Sequence, residues 1–214
     1  MFLLGSEHQF PPIELASKEG ILAIGGDLHP DRLLTAYQHG IFPWNNEGEP
    51  LVWYSPDPRM VLYPKDVYIS KTMRKIIRDR LFEVTFNQNF KQVIRHCKTV
   101  KRNDQDSTWI TDELEESMIK LHQKGVAKSV EVWQDKKLVG GLYGIDLGCI
   151  FCGDSMFSTV SNASKLAFIY LAQKLEKEKY PIIDCQIYNE HLASLGAVEI
   201  SRAAFKKYLL RKSN

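Results

Sequence analysis

The sequence has few of the features that identify a secreted, membrane-spanning or disulfide-rich protein. Only four of its 214 residues are cysteine. No window approaches the run of about 20 apolar residues that a transmembrane helix needs. The N-terminal segment MFLLGSEHQFPP has no basic region, and no small-residue cleavage site follows it. We therefore expect a cytoplasmic protein without a membrane partner.

The cysteines and histidines also lack a metal-binding pattern. Cys149 and Cys152 have the CxxC spacing, but they lie in a run that reads as a strand, where a separation of three residues puts two side chains on opposite faces. The six histidines are scattered, with no HExxH motif and no second CxxC. We expect neither a redox pair nor a bound metal.

The net charge of +2 is close to neutral, so contact with a nucleic acid requires a local basic patch. One candidate is a predicted helix with four cations at positions i, i+3, i+4 and i+7, and no acidic residue among them. We call these residues the basic stripe: Lys71, Arg74, Lys75 and Arg78. It is either a solvated face or a phosphate-binding surface, which Lys98, Lys101 and Arg102 would extend.

The first 60 residues differ in composition from the rest of the chain. Residues 1–60 are rich in Pro, Gly and Trp and contain one clear helix, which begins at Pro30 and Asp31 and ends before Gly40. Regular elements follow from 61 onwards, and 214 residues suffice for one large domain or for a domain with a smaller partner. We predict a small N-terminal domain over 1–60 and a larger one over 61–214.

The second segment predicts a sheet layered with helices. Ser70 and Thr111 are plausible caps of two helices, and NFKQVIRHC has helical periodicity. Three strands form a meander with turns at Gln134–Lys137 and Leu147–Gly148. A long helix, the strand PIIDCQI, a short helix and a last helix follow. This order predicts an α+β fold with a mainly antiparallel sheet.

Two polar residues stand inside the strand PIIDCQI. Period-2 alternation places Asp184 and Gln186 on one face, with Ile183, Cys185 and Ile187 on the other. Burial of unpaired polar groups is costly. In one interpretation Asp184 accepts a buried hydrogen bond from an arginine or a loop amide. In the other it orients or deprotonates an attacking group with the help of Gln186. The residues alone leave both open.

A second polar group lies in FCGDSMFS. Gly153, Asp154 and Ser155 begin like the nucleophile motif G-x-S-x-G, but Phe157 at the fifth position breaks it. Asp154 is then either a turn carboxylate beside the core or the polar anchor of an apolar pocket. Neighbouring or loop residues that would form the pocket walls are Phe151, Met156, Trp44 and Trp109.

Several segments together resemble the leucyl/phenylalanyl-tRNA–protein transferase family: GILAIGGDLHPDRLLTAYQHGIFPW, WYSPDPRMVLYP, STWIT, KSVEVW, LVGGLYG, FCGDSMFS, NASK and IIDCQIYNEHLASLGA. The resemblance implies a bacterial cytoplasmic enzyme that moves Leu or Phe, and also Met, from aminoacyl-tRNA to the N-terminal Arg or Lys of a protein. That reaction marks the acceptor for degradation by the N-end rule. The resemblance further implies a monomer, with a small N-terminal domain and a GNAT-like acyltransferase domain.

The resemblance also assigns site residues. It gives catalysis to Asp184 and Gln186. With a tRNA substrate, the basic stripe would then contact the tRNA backbone. The resemblance gives the aminoacyl pocket to Trp44, Trp109, Leu142, Phe151, Gly153, Asp154, Met156, Phe168 and Ile183. Two of these depart from the family pattern, since Asp154 stands where glutamate is common and Leu142 where methionine is common.

Two other functions compete with this one. A coenzyme A-dependent N-acetyltransferase would suit the fold, but GDSMFSTVSNAS lacks the R/Q-x-x-G-x-G/A pyrophosphate loop expected before the long helix. A non-catalytic RNA-binding module would use the basic stripe, but it leaves Asp184 and Gln186 without a purpose, and no RRM, KH or zinc-finger signature supports it. Because an aminoacyl ester is already activated, we expect no cofactor.

Overall fold

The computed structural model describes residues 2–45, 48–100 and 109–210. The predicted extension of the basic stripe at Lys101 and Arg102 lies outside these ranges. The first part of the chain forms a four-stranded sheet and one helix. Its elements are β1 (Phe2–Leu4), β2 (Ile21–Gly25), α1 (Pro30–Gln38), β3 (Phe42–Pro43) and β4 (Val52–Tyr54).

The N-terminal sheet has the strand order β1-β2-β4-β3, with β1 and β2 parallel and the other pairs antiparallel. The predicted helix is confirmed as α1. Pro30 occupies its first turn, where a missing N–H costs nothing, and Gly40 has the positive φ of +76° that suits the residue after a helix. The helix therefore leads directly into β3, which contributes to the candidate site.

The rest of the chain forms a seven-stranded sheet with six helices among the described residues. These elements are β5 (Arg59–Leu62), α2 (Lys71–Arg78), β6 (Glu83–Phe86), α3 (Phe90–Thr99), α4 (Asp112–Gln123), β7 (Ala127–Gln134), β8 (Lys137–Asp146), β9 (Phe151–Ser158), α5 (Ala163–Lys177), β10 (Ile183–Gln186), α6 (Glu190–Ala193), β11 (Val198–Ile200) and α7 (Arg202–Leu209).

The large sheet has the order β11-β5-β10-β9-β8-β7-β6. Only β9 and β10 pair in parallel, and the other neighbours are antiparallel. The predicted α+β fold with a mainly antiparallel sheet is confirmed. The predicted boundary at 60/61 falls inside β5, so Arg59 and Met60 already belong to the large sheet.

The predicted helix caps at Ser70 and Thr111 and the predicted turn between β7 and β8 are confirmed. Ser70 accepts a hydrogen bond from the Met73 N–H at 3.3 Å, and Thr111 accepts one from the Leu114 N–H at 3.2 Å. A two-residue turn with φ of +49° and +60° joins β7 to β8. The buried face of α3 is the predicted one: Phe90, Val93, Ile94 and Cys97.

One expectation about the cysteines needs correction. Cys149 lies in the turn before β9 and not in a strand, whereas Cys152 is a buried residue of β9. Both are free thiols. No group of three or more potential metal ligands occurs within 2–45, 48–100 and 109–210.

Two apolar cores lie on opposite faces of the large sheet. One contains residues of α1, α3 and α4, and the other contains residues of α5 and α2. Neighbouring residues of β8 show the division, since Leu142 belongs to the second core and Tyr143 to the first, and successive strand residues point to opposite faces. In the described part of the chain, no helix has the length and hydropathy to cross a membrane.

Candidate active site

A cavity of about 530 Å³ opens where β3 of the N-terminal sheet meets β8, β9, β10 and α5. Most of its wall is apolar, and a few polar side chains interrupt it. Its lining residues are Phe42, Pro43, Trp44, Trp109, Leu142, Tyr143, Gly153, Asp154, Ser155, Met156, Ser164, Phe168, Leu171, Asp184, Cys185, Gln186, Ile187, Tyr188, Asn189, His191 and Leu192. Concave, mainly apolar sites with a few polar groups are typical of small-ligand binding.

Most of the predicted site residues meet at this cavity. Those on its wall are Trp44, Trp109, Leu142, Gly153, Asp154, Met156, Phe168, Asp184 and Gln186. Phe151 and Ile183 do not line it. They are adjacent partners across β9 and β10 and are 2% and 0% exposed, because both pack into the core beneath α5. The structure therefore places these two residues beneath the cavity wall, and their contact with a ligand stays a prediction.

Asp154 reaches the cavity through a β-bulge. Tyr143 pairs with Ser155 and Gly144 pairs with Gly153, so Asp154 is an extra residue on β9. A bulge redirects the side chain of the inserted residue. Glycine is required opposite it, since a Cβ at Gly144 would lie 2.1 Å from a backbone oxygen of β9.

Asp154 belongs to a buried hydrogen-bond network. Its Oδ1 accepts hydrogen bonds from the Tyr37 hydroxyl at 2.6 Å and from Gln186 Nε2 at 3.0 Å. Its Oδ2 is buried and has no hydrogen-bond partner among the described residues. Burial raises the pKa of Asp154 to about 7, although the two hydrogen bonds act in the opposite direction. This carboxyl group is therefore close to half-ionised at neutral pH.

Asp184 forms a buried ion pair with Arg59. Arg59 Nε donates to Oδ1 at 2.8 Å and Nη2 donates to Oδ2 at 2.7 Å, while both side chains are almost fully buried. The backbone N–H of Gln186 also donates to Oδ1, at 3.0 Å. Arginine and carboxylate match each other in this two-point geometry. The interpretation in which Asp184 accepts a buried hydrogen bond from an arginine thus describes the structure.

A second bulge lies on β10, where the pairing with β5 shifts between Asp184 and Gln186. Gln186 has a φ of +66°, a left-handed conformation that is uncommon for residues other than glycine. The predicted period-2 alternation consequently fails here, because Cys185 and Ile187 line the cavity together with Asp184 and Gln186. Asp184 Oδ1 stabilises the bulge through the Gln186 N–H.

Arg59 connects three parts of the chain. Its guanidinium lies 4.8 Å from the ring centroid of Phe42 and 4.7 Å from that of Phe205, and its Nη1 donates to the Gly40 carbonyl at 3.1 Å. Cation–π contacts of this kind strengthen when they are shielded from water. The ion pair therefore joins the α1–β3 connection and α7 to the cavity strand β10.

Sequence reasoning missed three of these polar groups. A buried Asp184 demands a cation, and the arginine in WYSPDPR was available, but nothing in the sequence showed that β5 lies beside β10. Tyr37 occupies an apolar position of α1 and gave no sign of its hydrogen bond. His191 lines the cavity with a buried, unpaired Nε2, and burial, followed by the charge of Lys165, lowers its pKa.

The basic stripe is a solvent-exposed face of α2. One correction applies, because Arg78 pairs with Asp79 at 3.1 Å, so the stripe is not free of acidic neighbours. The suggested extension to Lys98 is also wrong. Lys98 lies on α3 and forms ion pairs with Asp112 and Glu115, which occupy its ammonium group.

Two solved structures share a distant similarity with the chain. A GCN5-related N-acetyltransferase from Kribbella flavida is 11% identical, with a TM-score of 0.40 over 84% of this chain and 63% of that chain. An aminoglycoside acetyltransferase from an uncultured soil metagenomic sample is 16% identical, with a TM-score of 0.41 over 63% of this chain and 92% of that chain. At these scores the similarity does not bear on function.

Comparison by sequence gives a much closer match. The family model of leucyl/phenylalanyl-tRNA protein transferase matches residues 61–210, and the model of that protein's N-terminal domain matches residues 26–57. Leucyl/phenylalanyl-tRNA–protein transferases of Flavobacterium johnsoniae and Christiangramia forsetii are 58% and 55% identical, over 99% and 98% of this chain and all of their own length. The one from Pseudomonas aeruginosa PAO1 is 48% identical over 98% of this chain and 93% of its own. The chain therefore belongs to the leucyl/phenylalanyl-tRNA–protein transferase family, a family of aminoacyl-transferring enzymes.

Proposed function

We propose that the protein transfers leucine or phenylalanine, and also methionine, from aminoacyl-tRNA to the N-terminal Arg or Lys of acceptor proteins in the cytoplasm. The product carries a new N-terminal residue that marks it for degradation by the N-end rule. Family membership supports the reaction class. The observation that carries the proposal in the structure is a mainly apolar cavity of about 530 Å³ that also holds Asp154, Asp184 and Gln186.

The cavity suits an apolar aminoacyl side chain. Trp44, Met156 and Phe168 lie on its wall and offer apolar surface of the kind that binds Leu or Phe. An apolar pocket discriminates by only about 1 to 3 kcal/mol per methylene. Rejection of the β-branched Val and Ile therefore has to come from the shape of the pocket.

The reaction needs little chemical activation. The aminoacyl ester is already reactive, and an N-terminal α-amine has an unperturbed pKa of about 7.7 to 8.0, so part of it is neutral at physiological pH. The enzyme has to orient this amine against the ester carbonyl and remove one proton. Neither step requires a covalent aminoacyl-enzyme.

The contacts of Asp184 favour a positioning role for this residue. Both of its oxygens accept hydrogen bonds from Arg59, and Oδ1 also holds the Gln186 backbone. A carboxylate in this state has little remaining capacity to receive a proton from an amine. We assign Gln186 to the contact with the reacting groups and Asp184 to the support of Gln186 in its left-handed conformation.

The basic stripe would bind the tRNA backbone. Lys71, Arg74 and Lys75 are exposed and form no ion pair within the described ranges. Contacts of lysine and arginine with phosphate are largely independent of sequence and weaken steeply with salt. This surface would thus add affinity for tRNA without reading its sequence.

Initial-rate measurements with Leu-tRNA test the proposal. Peptides that begin with Arg or Lys should accept leucine, and a peptide that differs only in an N-terminal Gly, or in an acetylated N-terminus, should not. Acetyl-CoA offered in place of Leu-tRNA should give no acetylated peptide. Retained tRNA binding without any transfer would instead identify an RNA-binding module.

A further inference from the structure

The carboxyl groups of Asp154 and Asp184, both on the cavity wall, differ in the hydrogen bonds that they accept. Asp154 Oδ1 accepts from Tyr37 and Gln186, whereas the buried Oδ2 of Asp154 has no partner among the described residues. Asp184, in contrast, is saturated by Arg59 and by the Gln186 backbone. An unpaired buried acceptor on a cavity wall is costly unless a ligand uses it.

We propose that Asp154 is the residue that accepts the proton of the attacking amine, and that Tyr37 is a positioning residue that fixes this carboxylate and favours its charged form. The inference rests on the proposed transfer reaction and goes beyond the role of a substrate contact. Gln186 donates to the same oxygen as Tyr37, so the two donors orient Oδ2 away from themselves and leave it for the substrate.

The step balances without a further reactant. The neutral α-amine attacks the ester carbonyl carbon, a C–N bond forms, and the carbonyl π electrons move to the oxygen. One N–H proton passes to Asp154 Oδ2. When the tetrahedral intermediate collapses, the ester C–O bond breaks, and Asp154 returns the proton to the departing ribose oxygen. The products are an amide and a free ribose hydroxyl.

The surroundings of Asp154 allow it to change charge near neutrality. The titratable groups near it are Tyr37 on α1, Cys152 on β9 and Asp184 on β10, with Tyr143 on β8 near Tyr37 and Arg59 on β5 beside Asp184. Burial raises the pKa of Tyr37 and Cys152 well above their usual values, so both stay neutral. Elsewhere on the wall, His191 has a lowered pKa. Asp154, with its pKa of about 7, is suited to proton transfer at physiological pH.

Tyr37→Phe gives the sharpest test. The Tyr37 hydrogen bond lowers the pKa of Asp154, so its loss should raise that pKa and move the rising limb of kcat/KM against pH to higher pH. We expect activity that is lost at pH 7 and largely recovered at pH 9, with KM for Leu-tRNA unchanged. Tyr180→Phe is the matched control, because Tyr180 donates to Asp146 at 2.8 Å outside the cavity, and it should leave the profile unchanged.

Asp154→Asn should lower kcat by roughly 100-fold or more at pH values above 7, where the carboxylate of the unaltered protein is charged; this is the usual contribution of a general base. Carbon-13 NMR of the aspartate carboxyl groups, with Asp154 assigned by its loss in Asp154→Asn, should give a midpoint near neutrality that rises in Tyr37→Phe. This readout does not depend on activity. A midpoint near 4 would contradict the inference whatever the transfer rate.

Different outcomes would overturn the proposed transfer reaction and the proposed role of Asp154. Absence of Leu-Arg product with the unaltered protein at every pH would overturn the proposed transfer. Product formation by that protein, combined with an Asp154→Asn variant that keeps more than a tenth of kcat, would overturn only the assignment of Asp154. An equal loss of kcat/KM at all pH values in Tyr37→Phe would likewise contradict the role of Tyr37.

Discussion

Two carboxylates with opposite environments lie side by side in the cavity. Asp184 is paired with Arg59, whereas Asp154 accepts two neutral hydrogen bonds and keeps one buried oxygen unpaired. Both are aspartates, so their chemistry differs through their burial and their neighbours. The sequence singled out both residues, but it could not distinguish their roles, because the partners Arg59 and Tyr37 are distant in the chain.

Replacement of Asp184 by Ala should destabilise the protein as well as impair it. The change leaves the Arg59 charge buried without a partner, which typically costs about 3 to 5 kcal/mol. Chemical denaturation of Asp184→Ala measures this loss. The double variant Arg59→Met with Asp184→Leu should recover most of the stability but not kcat, since the support of Gln186 is still missing. Full activity in the double variant would contradict the positioning role.

Asp154→Asn should make the fold more stable at high pH. The pKa of Asp154 is about 7 in the fold and near 3.9 in an unfolded chain, so the folded state holds the proton more tightly and stability falls as pH rises from about 4 to 7. The variant has no titratable carboxyl group at this position, so its stability does not fall over this pH range. We expect it to gain roughly 2 to 4 kcal/mol over the unaltered protein at pH 8 and almost nothing at pH 4. A difference that does not vary with pH would show that the Asp154 pKa is ordinary.

At the scale of elements, long periodic segments were predictable and local irregularities were not. The caps of α2 and α4, the buried face of α3 and the three-stranded meander follow from capping residues and apolar spacing. The bulges at Asp154 and beyond Asp184 insert one residue into an otherwise regular pattern, which apolar periodicity does not reveal. The N-terminal strands, of two to five residues, are too short to produce a pattern among Pro and Gly.

The basic stripe on α2 is expected to contribute to tRNA binding. Replacement of Lys71, Arg74, Lys75 and Arg78 by Ala should raise KM for Leu-tRNA, leave kcat nearly unchanged and flatten the dependence of affinity on salt. A matched control removes four exposed lysines elsewhere, at 91, 136, 137 and 177, which changes net charge equally. If both quadruple variants show the same KM as the unaltered protein at moderate salt, the stripe is only a solvated face.

At the scale of the whole molecule, the candidate site joins both sheets. Trp44 follows β3 of the N-terminal sheet, and Asp154 and Gln186 belong to the large sheet. Arg59 contacts Phe42 and Phe205, which are far apart in the chain. The apolar walls were largely predictable from the resemblance and the aromatic residues. The position of Arg59 and Tyr37 beside the cavity was not predictable, because it depends on tertiary contacts between segments that are distant in the sequence.

An unreactive substrate analogue should therefore stabilise the whole chain. Leucyl-adenosine with an amide in place of the ester would fill the cavity without reacting. At a concentration 100-fold above its Kd it should add about 2.7 kcal/mol and raise Tm by roughly 5 to 10 °C in a single transition. The same amide analogue built with valine, whose β-branched side chain the proposed pocket rejects, serves as the control. A shift in only one of two separate transitions would contradict a shared site.

The proposed transfer is tested most directly by mass spectrometry of a peptide with N-terminal Arg after incubation with Leu-tRNA and the protein. We expect one added leucyl residue, joined by an amide bond to the peptide α-amine, and deacylated tRNA in equal amount. An unmodified peptide, with deacylation no faster than in the absence of protein, would contradict it.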